Sequence, residues 1–474
     1  MIGIYLIGTL IISSLLVVNR NRRVNYLLVG LFTVLQWILT LYEYNHLNKE
    51  ELGYFIPDSL AILFLFALSV IIIPVFYHSF IYFKHSRDIP REQGVYFAAM
   101  IVLMASLSAA YLASHLGVSW VFIELTTLSA SALIYHRRNL RSLEGTWKYI
   151  FVCSISITLV FIGILFLTLA LQEEGLKNLS YHALVNKAPL LNVFWLKLSF
   201  LFILTGLTAK AGLVPMYTAG IDAKDKAPSP AGAVFASALM NMGFIAIYRF
   251  YEIISYTSIY AWSNKIILIS GGLSVFVATV YMLRVKNFKR LLAYSGVYHI
   301  GLAVTGLASG GVGRYAAILH LILHTFTKSA LFFQVGPVYR IFKSKNIYDM
   351  GNYFKYNLSG TLVLLVAFFT ITAMPPTGMF VSEFMIFRSL FDSGNWGMLA
   401  GLLILLTLII YAFGKNIFKI LFTSPAGFNE SEIPKIPVIE SVPEFILLGL
   451  VMYLGIYPPA VFVNLINNAI SLLP

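Results

Sequence analysis

A single cysteine, Cys153, occurs in the 474 residues, and it lies inside an apolar run. One thiol excludes a disulfide framework and any iron–sulfur cluster held by this chain alone. If electrons are handled, a partner handles them. Charge is almost as scarce: Asp, Glu, Lys and Arg make up 11% of the chain, less than half the roughly 25% of soluble domains. There is no Gly-rich phosphate loop, no nucleophile elbow, no HExxH pattern and no low-complexity segment, so neither catalysis by this chain nor a bound cofactor or metal is expected.

What abounds is apolar length, with 59% hydrophobic residues and a mean hydropathy of +0.82. Runs of about 18–28 residues recur from one end to the other, each long enough to cross a hydrocarbon core about 30 Å thick as a helix. No stretch remains for a soluble domain. The expected class is an all-α polytopic membrane protein, with spans near 2–19, 25–43, 58–84, 94–113, 116–136, 147–172, 193–219, 229–253, 264–284, 289–309, 314–342, 356–392, 397–423 and 442–468, about fourteen in all. No basic segment or small-residue cleavage site precedes the first run, which reads as a retained helix rather than a signal peptide.

The bases have a pattern. Arg20, Arg22 and Arg23; Lys84, Arg87 and Arg91; Arg137, Arg138 and Arg141; Lys224 and Lys226; Arg284, Lys286, Lys289 and Arg290; Arg340, Lys343 and Lys345; and Lys415, Lys419 and Lys435 fall on alternate connections. The other connections hold few, among them Lys49, Lys177 and Lys187. The positive-inside rule then places both termini on the outer face of a cell membrane, and makes the polar stretch 424–441 a cytoplasmic loop. This topology accounts for the net charge of +13 without nucleic acid.

Two spans carry helix breakers beside an intramembrane charge: GLTAKAGLVP at 206–215 in the seventh and MPPTGMFVSE at 374–383 in the twelfth. Breakers in corresponding segments are the mark of an inverted-repeat transporter, because unwound backbone is tolerated in lipid only where protein or a water-filled cavity satisfies it. The expected organisation is three N-terminal helices (1–93), a first five-helix repeat (94–253, broken helix 7), a second inverted repeat (254–423, broken helix 12), and a loop with the last helix (424–474). A proline that merely kinks a packing helix is the alternative.

Glu124, Lys210, Lys328 and Glu383 lie well inside the fifth, seventh, eleventh and twelfth spans. A charge at the bilayer centre costs about 2.5–3.5 kcal/mol on insertion scales, so four of them on separate helices ask for a function. Glu and Lys can release a proton when burial moves their affinities towards neutrality; Arg stays charged and cannot. His320, His324 and Lys328 stand at i, i+4 and i+8 on one helix face, with His299 on the tenth span. A proton wire and plain hydrogen bonding between helices both remain open for these imidazoles. A metal is disfavoured because no acidic third ligand accompanies them. Lys197 and Arg249, nearer span ends, read as snorkelling side chains. Arg388 reads as a partner for Glu383 or as an interfacial charge.

At this point the residues resemble a known family, the antiporter-like subunits shared by respiratory complex I, multisubunit cation/proton antiporters and energy-converting hydrogenases. ELTTLSASALIYHRR at 124–138 with LEGTWKYIFVCSISI at 143–157 is similar to the F-type subunit of hydrogenase-4-like complexes. AKAGLVP at 209–215, DAKDKAPSP at 222–230, FKRLLAYSGVYHIG at 288–301, HLILHTFTKSALFF at 320–333 and MPPTGMFVSEFMI at 374–386 match the family elsewhere. The resemblance implies that Glu124 and Lys210 are a coupled pair, that Lys210 is the relay lysine, that Lys328 with the histidines lies on the central path, and that Glu383 takes the exit position. It also implies other membrane subunits as partners, antiporter-like paralogues included, a cytoplasmic-side hydrophilic module, and lipid.

The chain departs from the family at Asn241, where several relatives carry lysine, at Tyr217, where many have histidine, and at Val285 and Asn287. The expected function is a proton-translocating subunit of a redox complex. A sodium/proton antiporter subunit, or the ion-coupled partner of an inorganic-carbon uptake complex, is the alternative, and the residues alone leave H⁺ against Na⁺ and the direction of flow open.

Overall fold

The computed structural model describes residues 1–86, 88–172, 178–424 and 433–473. Arg87, Lys177 and residues 425–432 of the expected loop 424–441 lie outside the described residues. The chain opens with α1 (Ile2–Val18), α2 (Arg22–Asn45) and α3 (Ser59–Lys84). Next come α4 (Pro90–Leu112), α5 (Leu116–Ile134), α6 (Leu140–Gln172), the short α7 (Tyr181–Lys187), α8 (Val193–Ala211), α9 (Thr218–Lys226), α10 (Ser229–Ala236) and α11 (Ala238–Ser255). The remainder runs α12 (Tyr260–Arg284), α13 (Phe288–Ser309), α14 (Val312–Phe342), α15 (Tyr353–Tyr356), α16 (Leu358–Ile371), α17 (Gly378–Asp392), α18 (Trp396–Phe422), α19 (Val442–Ile456) and α20 (Ala460–Ile470). Among the described residues there is no sheet, only isolated bridges in the connections. Among the described residues twelve helices, with α10–α11 counted as one, are long and apolar enough to span a membrane, and α1, α16 and α20 are shorter apolar helices.

Helix starts follow local chemistry. Asp58 accepts from the Ala61 amide at 2.7 Å and Asn287 from that of Arg290 at 3.2 Å, each completing a donor that the first helical turn leaves unpaired. The innermost layer is α10–α11, α13 and α14, whose most apolar windows are wholly buried, while α2 and α18 turn most of their surface outward. Charged and imidazole side chains are carried by the inner helices, and Leu, Ile and Phe coat the outside. That is the arrangement a lipid solvent demands.

The connections sort onto two faces. Asp88, Arg137, Lys226, Lys286, Lys343 and Lys345, from five alternate connections, line two adjoining cavities. Glu50, Asp58, Ser114, His115, Ser180 and Leu472 line a cavity formed by the other set. The N-terminal ammonium pairs with Glu51 in this second set. Met1 and Leu472 therefore lie on the face poor in bases, opposite the basic face.

Both expected breaks are present, and their backbone groups are paired. α8 stops at Gly212, whose φ of +83° is the left-handed conformation glycine supplies. Val214 N–H then donates to Ser274 Oγ at 2.9 Å, Met216 N–H to Thr208 Oγ1 at 3.3 Å, and Ser270 Oγ to the Val214 carbonyl at 2.7 Å. The α16–α17 break is closed locally, with Met374 N–H on the Phe369 carbonyl at 2.9 Å and Thr377 N–H on that of Met374 at 3.0 Å. Three departures from the sequence reading follow. The chain after the first break is helical through Lys226 rather than a loop; the eighth span is interrupted at Ser237; and the last run is split into α19 and α20 by Pro458 and Pro459. The Ser237 interruption has no Gly or Pro to announce it. Just past it, the Ala238 carbonyl accepts from Tyr111 OH at 2.8 Å.

α11 presses directly on the end of α8. A Cβ on Gly243 would lie 2.2 Å from the Ala211 nitrogen and 2.6 Å from the Lys210 carbonyl carbon. Gly243→Ala is therefore expected to destabilise the protein by about 1–3 kcal/mol, read as a fall in Tm in lipid nanodiscs. Gly336→Ala, where a Cβ meets nothing within 4 Å, should leave Tm unchanged or raise it.

Candidate functional site: a buried line of ionisable residues

The line begins on α5. Glu124 is half-buried, and one turn on, Thr127 Oγ1 donates to its Oε2 at 3.1 Å. Lys210 Nζ, from the last turn of α8, donates to the same Thr127 oxygen at 2.5 Å. A hydroxyl carries one proton, so with Glu124 ionised the order of donation is Lys210 to Thr127 to Glu124. Lys210 is 5% exposed, lies 5.6 Å from the Tyr149 ring centre, and sits at a helix C-terminus, where the backbone dipole favours a cation. The expected Glu124–Lys210 pair is thus bridged by a threonine.

Past the break, α9 contributes Lys224, which the sequence reading had assigned to a loop. It is 2% exposed, and its Nζ approaches Met240 Sδ at 3.0 Å. Helical periodicity over TAGIDAKDK would have turned it inward with Ile221; the polar composition of the stretch concealed this. Lys328, on α14, has no exposure, and its Nζ donates to the Leu292 carbonyl and, at 2.5 Å, to Ser295 Oγ. The two ammonium groups are neighbours: a Cβ on Gly296, next to Ser295, would be 3.7 Å from Lys224 Nζ. Asn241 donates through Nδ2 to Thr325 Oγ1 at 2.7 Å, while its Oδ1 has no partner. Where Asn241 cannot titrate, Lys224 brings an amine to the adjacent residue. Between Lys210 and Lys224 stands the Met240 thioether, whose methyl would be 3.0 Å from a Cβ on Gly212.

The far end is a histidine cluster. The rings of His324 and His299 are 4.9 Å apart, His299 Nδ1 is 3.0 Å from His320 Nε2, and His320 Nδ1 is 2.9 Å from Ser382 Oγ. The next residue, Glu383, accepts from Tyr298 OH. All three imidazoles are fully buried. Both nitrogens of His324 and the Nε2 of His299 have no hydrogen-bond partner. The second break matters here, because α17 starts just before Ser382 and Glu383 and delivers both to α13 and α14. His299, His320 and Glu383 offer ligand atoms within 4.8 Å of one another, so the acidic neighbour that the sequence reading found missing does accompany two of the histidines. The i, i+4 pair itself does not form the cluster; His299 replaces His324. With His299 Nδ1 hydrogen-bonded to His320 and Glu383 capped by Tyr298, the donor set is already engaged within itself.

Three side chains stand apart. Arg388 is exposed and lies 3.6 Å from Asp392, one turn on, not with Glu383. Tyr217 is half-buried, its ring 6.5 Å from that of Tyr281, away from the line. Arg249 does not snorkel: it is 6% exposed, pairs with Asp58 at 2.7 Å, and donates to the Tyr111 carbonyl at 2.7 Å, at the wall of the opposite-face cavity of about 1140 Å³.

Residues 113–409 match the family described as "NADH:quinone oxidoreductase/Mrp antiporter, TM", and the chain belongs to this family. It is 28% identical over 463 residues to "Hydrogenase-4 component F homolog" of Methylacidiphilum infernorum, covering 96% of this chain and 94% of that one. In fold it is similar to a chain of the membrane-bound sulfane sulfur reductase (MBS), an archaeal respiratory membrane complex, with a TM-score of 0.87 at 21% identity over 100% of this chain and 96% of that one. A chain of the Mrp complex from Dietzia sp. DQ12-45-1b superposes with a TM-score of 0.84 at 16% identity, covering 98% and 96%. Both structures are described as complexes.

On the basic face, Asp225 anchors the ends of four elements. Its carboxylate lies 3.2 Å from Lys345 Nζ and 3.1 Å from Lys226 Nζ, and accepts from Asn287 Nδ2 at 3.1 Å. Burial alone would raise this carboxyl; Lys345, Lys226 and Lys289 outweigh it and lower the group from 3.8 to about 2. A depressed carboxylate stabilises the fold above its unfolded value and loses that contribution as pH falls through the folded value. Asp225→Asn should therefore cost about 2 kcal/mol at neutral pH. In thermal denaturation the gap to wild type should be the same at about pH 7 and about pH 5, and should shrink only below about pH 4.

Proposed function

We propose that this chain is the proton-moving membrane subunit of a multisubunit complex, with Glu124, Lys210, Lys224, Lys328, the three histidines and Glu383 as the relay. The single observation that carries this is the placement of these groups, from six helices, along one interior line. Buried ionisable groups on separate helices are costly unless they are used. Family membership supports the same reading.

The basic face is cytoplasmic in this reading, which puts both termini on the outer side of a cell membrane. The two halves, 94–253 and 254–423, are inverted repeats with α8–α9 and α16–α17 as the corresponding broken helices, in a bundle of fourteen crossings. His299, His320 and His324 relay a proton by taking it on one ring nitrogen and releasing it from the other. Lys328 hands its proton towards that cluster, and Glu383 with Tyr298 receives it. The step from Lys210 past Met240 to Lys224 is apolar and requires water or side-chain movement. The drive comes from a partner: a unit charge about 4 Å away at an effective dielectric of about 20 contributes roughly 4 kcal/mol, about three pKa units. A change of charge near Glu124 is enough to empty or fill Lys210.

The likeness to a hydrogenase-4 component over nearly the whole chain favours a redox partner with a hydrophilic module on the cytoplasmic side and antiporter-like paralogues beside it. Co-purification tests this: iron–sulfur polypeptides accompanying the chain support it, and a carrier in their place replaces it with an antiporter or uptake assembly. For the relay itself, the assembled complex reconstituted in vesicles with a pH-sensitive dye should show no proton movement in Lys210→Ala. Thr127→Val, which removes only the bridging hydroxyl, should slow it about tenfold, the kinetic equivalent of about 1.4 kcal/mol. Normal pumping by Lys210→Ala in an intact complex would end the proposal.

A further inference from the structure

Outside the central line, His78 on α3 and Glu444 on α19 face each other deep in the bundle. Glu444 has no exposure and His78 is 5% exposed. His78 Nε2 and Glu444 Oε2 are 3.4 Å apart, and neither has a hydrogen-bond partner. The rest of each side chain is held firmly. The imidazole stacks on Phe333 at 4.4 Å and 6°. Glu444 Oε1 accepts from Gln334 Nε2 at 3.0 Å, and Gln334 Oε1 accepts from Tyr353 OH at 3.2 Å, itself bonded to Asn357 at 2.8 Å. These groups crowd the backbone so closely that a Cβ on Gly360 would come within 2.5–2.7 Å of three of their polar atoms. The network fixes the amide so that it donates to one carboxylate oxygen and leaves the other aimed at the imidazole.

We propose that His78 and Glu444 form a second proton-binding site, loaded from the basic-face cavity and separate from the central relay. It rests on the proton-moving reading above. Ionised, Glu444 is a fully buried charge whose facing ionisable base is His78; a neutral imidazole can offer it an Nε2–H donor but no charge, and one further proton makes the pair neutral. Access comes through His78, which lines the cavity of about 440 Å³ together with His85, Asp88 and Lys289. A proton taken from cavity water on one ring nitrogen is released from the other to Glu444, and the reverse path returns it. No bond to carbon forms or breaks.

The charges around the pair set its two states. Arg340 is bound to Glu440 and lies 3.4 Å from His85. Lys289, Arg137, Lys343 and Lys345 share the cavity with Asp88, Tyr82 and Tyr339, and Tyr77 and Tyr353 are further titratable neighbours. This surplus of positive charge opposes a net cation at the pair, so it alternates between net charge −1 and zero. Gln334 lies six residues beyond Lys328 on α14. At about 100° per residue it points about 120° away, so the pair is a side store for protons rather than a link in the line.

Infrared difference spectroscopy of the full assembled complex, between about pH 8 and about pH 5, reads this directly through the carbonyl bands of protonated carboxyl groups. The expected result is a band component that disappears in Glu444→Gln, shifts in Glu444→Asp and changes its pH midpoint in His78→Phe, which keeps the stacked ring. The same component should persist in Lys210→Ala, where the relay is broken. An unchanged band set in Glu444→Gln overturns the proposal, and if that variant fails to assemble, an unshifted spectrum in Glu444→Asp does so. Normal pumping by Lys210→Ala with the Glu444 component present would instead sink the relay and leave this site standing.

Discussion

Inside a layer of hydrocarbon, backbone polar groups must find their partners within the protein, and the rest of this structure depends on that one requirement. An unpaired backbone or charged group there costs several kcal/mol. The break after Lys210 survives because Thr208, Ser270 and Ser274 supply the missing partners. Those three hydroxyls convert what would be a defect in α8 into a fixed corner. The corner places Lys210 at a helix end and turns α9 inward, which brings Lys224 beside Met240.

The same requirement explains why the polar residues gather on α10–α11, α13 and α14. The most apolar windows of these helices are wholly buried within the protein, so they are free to carry histidine, lysine and serine. At Gly243 and Gly206 the backbones of neighbouring helices approach too closely for a side chain. The two faces then differ in charge, with lysines and arginines around Asp225 on one side and Glu50, Asp58 and Glu252 around Arg249 on the other.

Much of this was legible in the sequence, and the reasons are physical. Span lengths follow from bilayer thickness, and breakers beside a charge mark unwound backbone, so both breaks and the four charges Glu124, Lys210, Lys328 and Glu383 could be placed from residue order alone. Lys224 could not, because a short amphipathic helix rich in Asp and Lys reads as a loop when only apolar runs are sought. Thr127, Ser382 and Tyr298 escaped notice because a hydroxyl has no signature until its neighbour across the helix interface is known. Arg249 was misread for the same reason: its partner Asp58 comes from a distant connection. The Ser237 interruption follows no local rule that the surrounding Ala and Val residues express.

The single hydroxyl between Glu124 and Lys210 has a consequence for signalling along the chain. While Glu124 is ionised, Thr127 points its hydrogen there and offers its lone pairs to the ammonium. Once that acid becomes neutral and turns donor, the hydroxyl must rotate, and the lone pairs available to Lys210 are shared with a competitor. In the proposed relay the lysine thus senses the state of an acid it never touches, through the rotation of one C–O bond and with every helix standing still.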